Sequence, residues 1–181
     1  AILSTNIILN YDLNYLNSEM WPDTYKTDRY NYYKTDAKTK VAVANESAKY
    51  GQQLDFTMNA GTGGLCYGAA ALTVGKTYTW SVYVKSSRNI TMSALGHEQG
   101  GTRAPTITTE WQRYQYTFKA SENSYHAFLF YASWQDGDVI SVHSLEIMEG
   151  EPEFETKTVP YGSAIGTLET PFNGVFDGNN Y

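Results

Sequence analysis

Residues 77–85 read TYTWSVYVK, and the alternation in that stretch decides the fold. Successive side chains on a pleated strand point to opposite faces. Tyr78, Trp80, Val82 and Val84 therefore share one side, and Thr77, Thr79, Ser81, Tyr83 and Lys85 share the other. The first set is a core face. Tyr83 is then an aromatic residue on the polar face, with Lys85 beside it. Val74-Gly75-Lys76 supplies the turn before the strand. Further along, the 111–119 strand repeats the pattern: Tyr114, Tyr116 and Phe118 face one way, and Arg113, Gln115, Thr117 and Lys119 the other. Trp80 and Trp111 are assigned to the core.

Period-two, aromatic and β-branched runs recur along the chain, separated by clusters of Gly, Asn, Asp and Ser. They predict strands near 5–10, 41–46, 52–58, 65–72, 77–86, 90–96, 111–119, 125–133 and 138–148. Helical periodicity is nearly absent. Short strands with turn signals between them predict an all-β chain, an antiparallel sandwich or barrel. Residues 11–40, with Trp21 and Pro22 amid tyrosines and polar residues, read as a long irregular excursion over the surface, with room for one short strand or helical turn. Residues 96–106, GHEQGGTRAPT, read as a second, Gly-rich loop. The acidic, proline-bearing stretch 150–160 reads as a linker, which divides the chain into a sandwich at 1–150 and a linker and tail at 151–181. The opening on Ala1 and a strand-like run suggests a piece of something larger, or a mature product.

Composition removes whole classes. The net charge of −6 on 181 residues argues against nucleic acid and anionic membrane surfaces as partners, since both attract positive charge. No apolar run approaches the roughly 18 residues of a membrane-spanning helix. A single cysteine, Cys66, allows neither an intrachain disulfide nor a multi-cysteine metal site. No nucleophile elbow is present, and the spacing of Glu98, Glu110, Asp136, Asp138 and Glu146 singles out no pair of carboxylates for glycoside hydrolysis. The chain is not expected to be an enzyme. Sixteen Tyr, seven Phe and four Trp instead supply flat apolar faces with polar tips, which suit sheet cores and sugar-binding surfaces alike.

Four stretches, in order, carry a resemblance: Asn6-Ile-Ile-Leu-Asn10-Tyr-Asp-Leu13 followed by Trp21; Tyr50-Gly-Gln-Gln-Leu-Asp-Phe56; 72–87, LTVGKTYTWSVYVKSS; and 109–120, TEWQRYQYTFKA. Together they resemble the β-sandwich carbohydrate-binding modules of the family 4/9/22 type over about residues 6–149. The resemblance implies a jelly roll of two antiparallel sheets and a non-catalytic module that binds polysaccharide. Such a module tethers a larger, multimodular extracellular or cell-surface protein, bacterial or phage, to glycan. The alternative function for the same fold is an adhesion or assembly domain of a phage tail or capsid decoration, placed on the virion. The family also implies a structural calcium ion. Ser141 and Val142 stand where its acids are expected, which leaves Asn14 and Asp138 as the candidate metal ligands. The tail from Thr158 to Pro171 resembles the opening of an internalin B-type surface repeat.

On this resemblance the ligand lies on the concave sheet or over loops at its edge. Tyr83 and Lys85 are the outward residues of the best-defined strand. Trp21 and Trp134, the latter in a turn-like WQDG stretch, are candidate stacking platforms. Tyr67, Tyr131, Gln52, Glu98 and Arg103 are candidates for hydroxyl, amide, carboxylate and guanidinium contacts.

Overall fold

The computed structural model describes residues 24–69, 71–122 and 125–151. They form two antiparallel sheets packed face to face. The strands are β1 (Tyr30–Tyr33), β2 (Ala37–Ala44), β3 (Gln52–Met58), β4 (Gly61–Gly68), β5 (Thr77–Ser86), β6 (Ile90–His97), β7 (Gly101–Arg103), β8 (Thr106–Ile107), β9 (Gln112–Lys119), β10 (Ala127–Trp134) and β11 (Val139–Glu149). The front sheet runs β2-β3-β11-β5-β9; the back sheet runs β1-β4-β10-β6-β7, with β8 also pairing β6. A three-residue 3-10 turn, Thr27–Arg29, is the sole helical element among the described residues.

The 77–85 alternation positions the core as expected. Tyr78, Trp80, Val82 and Val84 are buried, facing Leu65, Phe128, Phe130 and Leu95 of the back sheet across the interior. Each such large apolar side chain contributes about 1.5–3 kcal/mol on leaving water. Trp80 keeps its polar tip satisfied inside, its Nε1–H donating to the carbonyl of Gly101 at 2.6 Å, and sets its ring edge-on to Phe128. That arrangement needs a glycine at 96. With φ at +134°, a side chain there would meet the Gly101 oxygen at 2.0 Å and the Trp80 nitrogen at 2.9 Å.

The structure departs from the sequence reading in three places. The excursion expected over 11–40 holds the short strand β1 it allowed for but also the start of β2, and Tyr30, read as part of a surface loop, turns inward against Phe56 and Tyr67. β4 begins at Gly61, four residues before the strand expected at 65–72, because Gly63 and Gly64 adopt positive φ while still pairing with β10. The 96–106 loop holds the short strand β7. On β5, Thr79 and Ser81 lie on the face opposite the core, yet both are buried. Thr79 spends its hydroxyl on the Gly150 carbonyl, and Ser81 lies against the carboxylate of Glu146. The strand expected at 5–10, Trp21, Asn14 and the tail beyond Glu151 lie outside the described residues.

Candidate functional site

Tyr83 on β5 stands directly opposite His143 on β11, and both point away from the core. Their rings stack, with centroids 4.6 Å apart and planes 11° from parallel. Trp111, immediately before β9, meets the other side of the cluster: its ring is 4.5 Å from the imidazole at 62°. The Lys85 ammonium sits 5.0 Å over the Trp111 ring. Tyr83, Lys85 and Trp111 remain half-buried, whereas His143 is buried between its neighbours. Arg113 and Gln115 continue the same face on the edge strand β9, hydrogen-bonded to one another.

A bulge in β11 follows His143. The register slips between His143 and Glu146, and Ser144 takes a positive φ of 54°. His143 is outward by plain alternation just before the slip, and the extra residue returns Leu145 to the core. The Ser144 hydroxyl accepts the Lys49 backbone N–H at 2.7 Å and bonds His143 Nδ1 at 2.8 Å, which fixes the imidazole and ties down the β2–β3 connection. The Lys49 ammonium pairs with Glu146 at 2.8 Å, and both side chains are nearly inaccessible. Tyr50 follows in the same connection, stacked on Tyr25 at 4.9 Å. Asn45, Gln53 and Asp55 form a hydrogen-bonded chain along β2 and β3, with Gln53 as both acceptor and donor.

The sequence candidates separate into distinct places. Tyr83 and Lys85 lie together on the outward front sheet. Gln52 opens β3 in the inward series of Leu54 and Phe56, its amide donating to the Tyr25 carbonyl at 2.7 Å, so the amide on the outward face is its neighbour Gln53. Tyr131 and Glu98 belong to the opposite side of the molecule, where Tyr131 stacks on Tyr33 at 5.5 Å beside Cys66. Burial pushes the Tyr131 phenol up, with Cys66 and Glu98 adding to the shift. Burial likewise raises the Glu98 carboxyl, against the pull of the Ala127 backbone and His126. Arg103 occupies a cleft between β7 and β9, with its guanidinium over Tyr116.

Two candidates are corrected. Trp134 is not a platform: it is 4 % exposed and its Nε1–H donates to the Gly63 carbonyl at 2.7 Å, because the strand carries its inward alternation one residue further than the turn-like WQDG stretch suggests. Tyr67 is also core, edge-on to Tyr30. Conversely, Trp111 is not core. It precedes β9 instead of belonging to its inward series, and stands outside with Lys85 and His143. His143 was missed as well. Its signal lay in the extended 138–148 run, where a polar residue opposite Tyr83 in an antiparallel pair lands on the outward face.

Asp138 does not fit a calcium ligand. Arg88 donates to both of its carboxylate oxygens at 2.8 Å, and the Gln135 backbone N–H adds a third bond at 2.7 Å. Burial raises its pKa, but the Arg88 bond, the Gln135 bond and the Arg88 charge outweigh burial and leave it below the ordinary carboxylate value. A cation would have to displace a guanidinium. Among the described residues no group of three or more His, Cys, Asp or Glu is placed to hold a metal.

No family model matches the chain, and no curated protein matches it. Solved structures do. TmCBM61, solved in complex with β-1,4-galactotriose, is similar with a TM-score of 0.53 and 14% identity, over 76% of this chain and 99% of that one. The enzymatically active domain of bacteriophage CBA120 tailspike protein 4 is similar at 0.50 and 11% identity, over 77% of this chain and 22% of that one. The CBM22-1 xylan-binding domain of Paenibacillus barcinonensis Xyn10C is similar at 0.49 and 14% identity, over 74% and 89%. This chain has the all-β, two-sheet antiparallel sandwich fold found among carbohydrate-binding modules.

Proposed function

We propose that the chain is a non-catalytic glycan-binding module whose outward front sheet receives a polysaccharide. The observation that carries this reading is the Tyr83–His143–Trp111 cluster, with Lys85 over the indole, standing outside the core on the outward face of the front sheet. Sugar rings present apolar C–H faces that pack on such aromatics, while their hydroxyl groups need amides, guanidiniums and ammoniums. Gln53, Arg113, Gln115 and Lys85 supply those. Each polar contact is worth about 0.5–1.5 kcal/mol net, because water competes, so affinity rests on several contacts together. Binding without catalysis fits the state of the carboxylates on this face: Glu146 is held by Lys49, and Asp55 accepts the amide of Gln53. The similar structure solved with β-1,4-galactotriose is in keeping with glycan as the partner. In this reading the module tethers a larger extracellular or surface protein to its polysaccharide.

A glycan microarray, repeated with Tyr83→Ala and Trp111→Ala, tests the proposal. Binding that is lost in both folded variants supports it; indifference of the unmutated chain to every glycan sinks it. The rival reading, an adhesion or assembly domain of a phage particle, is favoured by one feature. The edge strand β2 is exposed along its length, with Val41 50% and Val43 38% accessible. A stable oligomer on a sizing column, together with a blank array, would select that reading.

A further inference from the structure

The open edge of the sandwich between β7 and β9 holds a cleft distinct from the Tyr83–Trp111 cluster. Its volume is about 300 Å³, and Trp80, Arg103, Ala104, Pro105, Tyr114 and Gln115 line it. Arg103 pairs with Leu95, an inward residue of β6, so its side chain leaves β7 on the core side. It meets Tyr116 of β9 there, with the guanidinium 4.5 Å from the ring centroid, and stays exposed. Among the described residues no carboxylate pairs with Arg103, although Lys38, Lys49, Lys76 and Arg88 each hold one in this acidic chain. The cleft lining contains no acid.

A guanidinium held over an aromatic ring keeps N–H donors free for a second partner. Those donors form a fork matched to the two oxygens of a carboxylate. Pro105 and Tyr114 give the same cleft apolar walls, and its volume lies at the small end of ligand pockets, which suits one sugar residue. Gln115 borders the cleft and also belongs to the outward face of β9, so the two regions adjoin.

We propose that the β7–β9 edge cleft is a subsite for one hexuronate residue, its carboxylate received by Arg103. The inference rests on the reading of the chain as a glycan-binding module and names the class of glycan it prefers: acidic polysaccharide. An inward charge on a short edge strand also blunts strand pairing with other chains, and the test separates the two roles.

Titration calorimetry of the full chain would use polygalacturonate and glucuronoxylan, each against its own carboxyl-reduced form, so that only the carboxylate changes within a pair. The acidic form of at least one pair is expected to bind about tenfold tighter, the gain of one charge-assisted contact. That preference should shrink as salt rises. Arg103→Gln should abolish it without moving the melting temperature, and Trp111→Ala should weaken both forms alike. The proposal is overturned if neither pair shows a preference, or if the preference survives in Arg103→Gln. It also fails if Arg103→Gln keeps the preference and only makes the chain self-associate on a sizing column, which marks an edge-strand guard. Neutral glycans bound on the array with no acidic preference would leave the module reading standing and remove this one; a blank array removes both.

Discussion

The Tyr83 phenol ring and the His143 imidazole lie face to face, 4.6 Å between centroids and 11° from parallel. They are a directly opposed cross-strand pair, the unit by which neighbouring strands stabilise one another. The pair also has a consequence for binding. His143 is held by Tyr83 on its face, by Trp111 at its edge and by Ser144 at Nδ1, so the aromatic surface is ordered before any ligand arrives. A preorganised surface spares the ligand the cost of immobilising rotamers.

Trp111→Ala is expected to weaken glycan binding about tenfold, the scale of one lost aromatic contact. Tyr83→Ala should do the same. Because the two rings act through the imidazole between them, the double variant should lose less than the product of the single losses. Calorimetric titration of the three variants against the best array ligand checks this. Fully multiplicative losses would show that the rings act independently.

Trp134 behaves differently, since it belongs to the core. Trp134→Ala should cost about 3–5 kcal/mol of stability, as buried Trp truncations do. Trp134→Phe should cost about 1–3 kcal/mol, because it leaves the Gly63 carbonyl without its donor. In urea unfolding the midpoint falls in both variants, while glycan affinity of the folded protein stays unchanged. A loss of affinity in a stable Trp134→Phe protein would return this residue to the binding surface.

The fold was legible where alternation was strict. On Thr77–Lys85 the period-two pattern alone separates Trp80 from Tyr83. It failed where backbone conformation substitutes for side-chain pattern. β4 pairs through glycines of positive φ, so a strand there carries no alternation to read. The β11 bulge inserts a residue that no pattern reports, and it is what returns Leu145 to the core after His143. Trp134 and Trp111 exchanged expected roles because each sits at a strand boundary and was read from its local context, although Trp134 continues the inward series of Phe128 and Phe130 and Trp111 the outward series of Arg113 and Gln115. The place of Arg103 in an edge cleft was not legible, because only the pairing of β7 with β6 sets its direction.

The Asp138–Arg88 pair makes the β10–β11 connection sensitive to acid. The folded pKa of Asp138 is depressed, so its contribution is present above the unfolded value of about 3.9 and is lost as pH falls through the folded value. Melting temperatures recorded from pH 6 down to pH 2 should therefore fall more steeply for the unmutated chain than for Asp138→Asn below about pH 4. The variant should be the less stable protein at pH 6, and the two curves should converge in acid. Parallel curves would show that the pair contributes nothing to acid sensitivity.

Lys49 and Glu146 form an ion pair whose side chains are only 7% and 6% exposed, and it pins the β2–β3 connection over the bulge that follows His143. Removing one partner of such a pair strands a buried charge, at a cost of about 3–5 kcal/mol, whereas an apolar replacement of both is commonly near neutral. Lys49→Met should therefore destabilise the sandwich by that amount. Lys49→Met combined with Glu146→Leu should recover most of it. The Lys49 backbone N–H still reaches Ser144 in either variant, so the double variant is expected to keep its aromatic cluster and bind glycan normally. Denaturant titrations of the single and double variants measure the first point, and calorimetry on the double variant the second. A double variant that is stable yet fails to bind would show that the Lys49 ammonium or the Glu146 carboxylate itself touches the sugar.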